Sequence, residues 1–206
     1  ILTSPPYDNA RTYEGTADAV DFDELAAFCL RVLCPGGVVA MVLDGAVNDG
    51  VQSTTPYRVI CKWAEMPGWR FRQFLVYGRA GVPGNTVGWF RRDHEPLLVF
   101  VRDGAQMVCE KSRVAERVPK FNAVGKKRHR DGVMRENGGR QPSALETRNR
   151  GSVWWYGGVG YGHDPSADTG HPATFAEAFA LDAVNVWSNP GDLVVDPFAG
   201  SCTVGR

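Results

Sequence analysis

The sequence predicts an α/β layered sheet, and three features of the chain lead to that reading. Val38-Val39-Ala40-Met41-Val42-Leu43 is a continuous apolar run of strand length, and Leu97-Leu98-Val99-Phe100-Val101 is another. Such runs mean burial on both faces, which is typical of parallel sheets. Segments with apolar residues at helical spacing alternate with them, and helix, strand, helix, strand is the order of a layered α/β fold.

Thr3-Ser4-Pro5-Pro6-Tyr7 comes first. Two prolines fix φ and remove two backbone donors, and each pushes its predecessor out of the helical region. The expected result is a stiff, extended turn with fixed carbonyls, a hydroxyl at Ser4 and a flat ring at Tyr7. That combination suits gripping the amino group of a planar base, although an ordinary Pro-Pro turn after a buried strand has the same appearance. Asp8 to Asp18 reads as a polar loop. Asp21 opens a helix, with Glu24 at the capping-box position and Phe22, Leu25, Cys29 and Val32–Leu33 on its buried face. Pro35-Gly36-Gly37 stops it. The 38–43 strand follows and ends in Asp44-Gly45. Tyr57 to Met66 reads as a second helix, stopped by Pro67-Gly68. Trp69 to Tyr77 is β-rich, and His94-Glu95-Pro96 leads into the 97–101 strand.

From about Asp103 the periodicity dissolves, and 103–150 reads as an inserted lobe or loop that orders against a partner. Val153-Trp154-Trp155-Tyr156 resumes apolar character, and its paired tryptophans are expected to pack a core edge rather than stack on a base. Thr174 is expected to open the last helix, with Glu177 at the capping-box position and Phe175, Ala178–Phe179, Asp182–Ala183 and Val186–Trp187 on one face. Asn189-Pro190-Gly191 is a turn. Leu193-Val194-Val195 reads as a short buried strand running into Asp196-Pro197-Phe198-Ala199-Gly200-Ser201-Cys202-Thr203 and a following helix. The organisation is therefore 1–102, an insert at 103–150, and 151–206 completing the first unit.

A chain of 206 residues can bury one good core. Its 43% hydrophobic and 22% charged content is that of a soluble globular protein. No window approaches the roughly 18 apolar residues of a membrane span, and Ile1-Leu2-Thr3 shows no secretion signal. Cys29, Cys34, Cys61, Cys109 and Cys202 are odd in number and form no CxxC pair. Reduced thiols in a cytoplasmic protein, without metal, fit this pattern. Net charge is zero, yet residues 120–150 carry nine Lys/Arg against three Asp/Glu, while 151–206 carry one against six. A local polyanion contact gives such a pattern, as does a solvated basic loop.

A buried strand ending in a small glycine-containing loop is the ligand-binding corner of an α/β sheet. In the 196–203 loop, Gly200 admits close backbone approach, Ser201 and Thr203 offer hydroxyls, and Asp196 can accept from an ammonium group. An amino acid moiety fits there. The loop is neither a GxxxxGK[ST] phosphate cradle nor a GxGxxG dinucleotide turn.

Thr-Ser-Pro-Pro-Tyr at 3–7 resembles the catalytic motif of DNA amino-methyltransferases, and Asp-Pro-Phe-Ala-Gly-Ser-Cys-Thr at 196–203 resembles their S-adenosylmethionine motif. His171-Pro172-Ala173-Thr174-Phe175 is similar to the segment before the cofactor strand, and Leu33-Cys34-Pro35-Gly36-Gly37 to a helix-to-strand turn of the family. This order is the permuted arrangement of the beta class. The resemblance implies a Rossmann-like methyltransferase fold, a mixed sheet with helices on both faces and a variable insert. It implies S-adenosylmethionine as cofactor, double-stranded DNA as substrate and a restriction endonuclease as a conceivable partner, and leaves oligomeric state open. Residue by residue, Ser4 and the Pro5 carbonyl, with Pro6 holding the turn, would hydrogen-bond the target amine, and Tyr7 would stack on the extruded base. Asp196, Phe198, Gly200, Ser201 and Thr203 would hold the cofactor, with His171, Pro172 and Phe175 shaping the pocket. Lys126, Lys127, Arg128 and Arg130 would contact DNA phosphates.

Ser at the first motif position favours cytosine-N4 as target. Adenine-N6, RNA methylation and an inactive DNA-binding remnant are the alternatives. A carbon-5 methyltransferase would need a cysteine nucleophile, usually in a Pro-Cys pair, and the chain has none. Cys202 stands where the family has glycine, and a positive φ there would strain it. The chain reads as a fragment, with little strand before Thr3 and no acidic residue for the ribose after Arg206.

Overall fold

A computed structural model describes residues 1–6, 20–79, 88, 90, 92–117, 126–136, 147–156 and 176–205. In chain order the strands are β1 Leu2–Thr3, β2 Val38–Val42, β3 Val47–Asn48, β4 Val51–Gln52, β5 Trp69–Arg79, β6 His94–Arg102, β7 Glu116–Arg117, β8 Lys126–Arg128, β9 Met134–Glu136, β10 Thr147–Arg148 and β11 Val153–Tyr156. The helices are α1 Phe22–Val32, α2 Thr55–Glu65 and α3 Glu177–Trp187.

Five strands form the central sheet in the order β1-β2-β6-β5-β11. β1 lies parallel to β2 and β11 parallel to β5, whereas β2–β6 and β6–β5 are antiparallel. The sheet is thus mixed, and the 97–101 run is antiparallel to both neighbours. Its continuous apolarity comes from helices on both faces, not from parallel pairing. Along β2 the side chains alternate: Val38, Ala40 and Val42 join Phe179, Ala183 and Val186 of α3, while Val39 and Met41 join Leu25 and Cys29 of α1 and Val59 and Trp63 of α2. This is the two-sided burial a period-2 strand needs to be apolar throughout. Trp63, Trp69, Phe71 and Phe100 form an aromatic cluster on the α1/α2 face, with Trp63 stacked on Trp69 at 5.2 Å.

The Asp21 side chain caps α1, accepting from the Asp23 and Glu24 amides. α2 starts two residues earlier than the periodicity suggests, because Pro56 sits comfortably in the first turn, where no backbone donor is required. α3 begins at Glu177, with Ala176 at its N-cap and no side-chain cap. Thr174, the expected cap, lies outside the described residues. At this end of the helix the Ala176 N–H donates to the Tyr77 hydroxyl, 3.1 Å away.

Residues 193–195 are not a buried strand. Leu193 is 87% exposed, and the segment is held to the sheet through the Leu2 N–H donating to the Val195 carbonyl at 3.2 Å. A two-residue partner supplies too short a ladder to make more of it. Part of 103–150 also departs from the sequence reading. A 3-10 turn at Lys111–Val114 packs on α3, burying Val114, and Arg113 donates to the carbonyls of Asn185 and Ser188 at the end of that helix. β7 pairs with β10, and β8 pairs with β9 as a separate ribbon.

Candidate functional site

The carboxyl edge of β1 meets the 196–203 loop directly. Thr3, wholly buried, donates from Oγ1 to Asp196 Oδ1 at 2.6 Å. The Phe198 N–H donates to the same oxygen at 3.0 Å. One carboxylate oxygen therefore ties the Ser4-Pro5-Pro6 turn to the loop across 193 residues of sequence. Burial pushes the Asp196 carboxyl up from its ordinary range, and the Thr3 and Phe198 bonds pull the other way. Pro5 is buried, with Ser4 and Pro6 half-buried on either side.

Within the loop, Gly200 and Cys202 both have positive φ, 47° and 59°. The Cys202 N–H closes the turn on the Ala199 carbonyl at 2.7 Å. The strain anticipated for a side chain at this position is therefore present. Ser201 and Thr203 hydroxyls lie 3.0 Å apart, and Phe198 packs against the α1/α2 core, which fixes the start of the loop. Where the sequence suggests a helix, a short 3-10 turn, Thr203–Gly205, follows.

Sequence reasoning noticed Asp44 only as the end of a strand. It is buried at the carboxyl end of β2, the neighbour of β1. Its carboxylate accepts from the Gly45 N–H at 2.7 Å, from Gln52 Nε2 at 3.2 Å and from Arg92 Nη1 at 2.6 Å. Arg92 also donates to the Gly45 carbonyl at 2.8 Å. The signal for it was an acidic residue closing an apolar run, a position too costly to hold a charge without a partner.

Tyr7, His171, Pro172 and Phe175 lie outside the described residues. Lys126 and Arg128 are on β8 and Arg130 is in the turn after it, all exposed; of Lys127 only the strand position is described. The structure brings Ser4, Pro5 and Pro6 together with Asp196 and Phe198, and sets the basic residues on the separate β8–β9 ribbon. Among the described residues no group of three or more His, Cys, Asp or Glu could hold a metal ion, and no helix is long and apolar enough to cross a membrane.

A family profile described as DNA methylase, of the N6/N4 amino-methyltransferase type, matches residues 1–206. The chain belongs to this DNA methylase family. The methylase is 28% identical over 215 residues to the orphan methyltransferase M.BamHII of Bacillus amyloliquefaciens, covering 100% of this chain and 77% of that one. It spans between 54% and 77% of the lengths of the curated relatives it matches. Its fold is that of PvuII DNA methyltransferase, described as cytosine-N4-specific, with a TM-score of 0.62, 17% identity, and 99% of this chain against 69% of that chain. It is also similar to the M1.HpyAVI–SAM complex, with a TM-score of 0.53, 20% identity, and 99% and 74% coverage. The α/β methyltransferase architecture expected from the sequence is the one observed.

Proposed function

We propose that this DNA methylase transfers a methyl group from S-adenosylmethionine to the exocyclic amine of a base extruded from double-stranded DNA, with cytosine-N4 as the favoured target. The observation that supports this most is the Thr3–Asp196 hydrogen bond, which ties the Ser4-Pro5-Pro6 turn to the 196–203 loop. On this reading 1–102 and 151–206 are two halves of one catalytic unit, and 103–150 carries target recognition.

The donor set fits the cofactor. A half-buried carboxylate at Asp196, two hydroxyls at Ser201 and Thr203, an apolar wall at Phe198 and a backbone opened by positive φ at Gly200 suit an amino acid headgroup beside a sulfonium. His171, Pro172 and Phe175 complete the pocket in this proposal. When bound, S-adenosylmethionine supplies an electrophilic methyl on sulfur.

The remaining chemistry belongs to the chain. An exocyclic amine is a poor nucleophile because its lone pair is delocalised into the ring. The Pro5 carbonyl oxygen and the Ser4 hydroxyl oxygen accept the amine hydrogens, which localises that lone pair. Fixed acceptors need no reorganisation as charge develops on nitrogen. The base must leave the stack to reach them, and Tyr7 then stacks on its face. Lys126, Lys127, Arg128 and Arg130 contact phosphates and set the register of the duplex.

Mass spectrometry of nucleosides from DNA methylated by the full-length protein tests the proposal. N4-methylcytosine is the expected product, N6-methyladenine alone overturns the cytosine preference, and no S-adenosylmethionine binding overturns the enzyme reading in favour of an inactive DNA-binding protein. Ser4→Ala and Tyr7→Ala should lose turnover while keeping cofactor affinity.

A further inference from the structure

Trp154 and Trp155 are adjacent in sequence and opposite in fate. Trp154 is buried on the α3 face, stacked on Trp187 at 5.5 Å, as a core-edge tryptophan should be. Trp155 points to the other face and is 55% exposed. It does not hang free. Its indole lies on Gly78 of β5, so closely that a β-carbon there would meet Cε3, Cδ2 and Cζ3 of the ring at 2.6, 2.7 and 3.0 Å. A glycine within a strand weakens it, and here, one residue before the end of β5, its absent side chain is the seat of the ring. Across β5 the row continues, because Gly78 is the register partner of both Trp155 and His94, and His94 is exposed.

This row lies at the carboxyl ends of β5 and β11 and the amino end of β6. In the sheet's register that is the edge from which Ser4-Pro5-Pro6 and Asp44 emerge, since Val42 of β2 pairs with Leu97 of β6 and Leu97 with Leu75 of β5. Four strand spacings separate β1 from β11, or ~19 Å. The sequence from Gly78 to Asp93, which joins β5 to β6, contains three arginines, Arg79, Arg91 and Arg92, against one acidic residue, Asp93, and Arg92 is paired with Asp44. Phe90 within it is 96% exposed. Exposed aromatic rings on the edge where the substrate base would arrive, beside a connecting sequence with more arginine than acid, match the chemistry of nucleic-acid binding, in which rings pack on sugars and bases.

We propose that Trp155, seated on Gly78, is a second DNA contact of the methylase, separate from the basic 120–150 block. Its open ring face packs on a sugar or base of the substrate about five base steps from the extruded nucleotide, at ~3.4 Å per step. The contact is independent of sequence and sets affinity rather than recognition. The inference rests on the proposed function, in that the polyanion is taken to be the enzyme's own DNA substrate.

Fluorescence anisotropy of a labelled duplex with the full-length protein tests it, using Trp155→Ala, Trp155→Phe, Gly78→Ala and the Gly78→Ala/Trp155→Ala double variant. Trp155→Ala should weaken DNA binding roughly tenfold, the usual scale for losing one stacking ring, with S-adenosylmethionine affinity unchanged. The salt slope should stay that of wild type, because no charge is lost. Trp155→Phe should recover most of the affinity. Gly78→Ala should reproduce the loss by lifting the ring from its seat, and should add nothing in the Trp155→Ala background. Wild-type DNA affinity in Trp155→Ala overturns the proposal, as does a parallel loss of cofactor binding or a change in oligomeric state, which would mark the ring as structural or as a protein interface. A wild-type protein that binds no DNA would instead overturn the function on which the inference rests.

Discussion

Cys202 holds a backbone conformation that suits glycine, with φ at 59°. The left-handed region costs an L-residue about 1–2 kcal/mol, so Cys202→Gly should stabilise the fold. A rise of roughly 2–8 °C in melting temperature is expected for a chain of this size, and an unchanged or lower value would contradict it. Thr3 offers a second residue-scale test. Burial raises the Asp196 carboxyl above its ordinary value of 3.8, so the native state holds that proton more tightly than the unfolded chain. Stability attributable to Asp196 therefore falls as pH rises through the window above 3.8. The Thr3 bond opposes that loss, because it favours the carboxylate. Thr3→Val should accordingly destabilise more at pH 8 than at pH 4, and Thr3→Ser should restore most of the difference, as read from urea denaturation at both pH values. Equal losses at both would mean that the hydroxyl serves packing alone. Cys29 is fully buried, and burial pushes its thiol up to about 11, while the other four cysteines are exposed. Four thiols should react with a disulfide reagent in the native protein and the fifth only on unfolding. The motif residues were legible because proline, glycine and serine carry local chemistry. Asp44 was not, because its role depends on Arg92, whose proximity only the fold reveals.

At the scale of elements, α3 shows how a helix can be anchored from outside. Tyr77 accepts the Ala176 N–H at its start, and Arg113 donates to the carbonyls of Asn185 and Ser188 at its end. Capping rules see only local residues, so a tyrosine hydroxyl 99 positions away is invisible to them, while Thr174, the expected cap, lies outside the described residues. Arg113 was likewise read as part of a detached insert, because its partners on α3 lie more than 70 residues on. Tyr77→Phe should leave the Ala176 N–H without its acceptor and cost about 1 kcal/mol, measurable by chemical denaturation. A neutral result would mean that water replaces the hydroxyl. The strands at 38–42 and within 94–102 were legible from apolarity alone. Their pairing direction was not, because burial by helices on both faces writes the same pattern into parallel and antiparallel strands.

For the molecule as a whole, charge is segregated: the 120–150 block is basic and the segment after it acidic. Exposed Lys126, Arg128 and Arg130 on the β8–β9 ribbon and its turn would act through released counterions. Neutralising them together with Lys127 should weaken DNA binding and reduce the slope of log affinity against log salt by up to ~0.9 per lost phosphate contact. An unchanged slope would return the ribbon to a solvated role. Segregated charge was plain in the sequence, but not the two-stranded ribbon that presents it, since short exposed strands carry neither helical nor alternating periodicity.

The bond between Thr3 and Asp196 also has a consequence for the order of assembly. β2, β6 and β5 lie close in sequence and can zip together early, whereas β1 meets its second neighbour only after 193 further residues are in place. Closing so long a loop is entropically late. In pulse-labelled hydrogen exchange during refolding, the Leu98 and Val99 amides should gain protection before that of Leu2. If so, the proposed catalytic corner is the last part of the protein to form, and the chain acquires its chemistry only when the rest of its architecture has been completed.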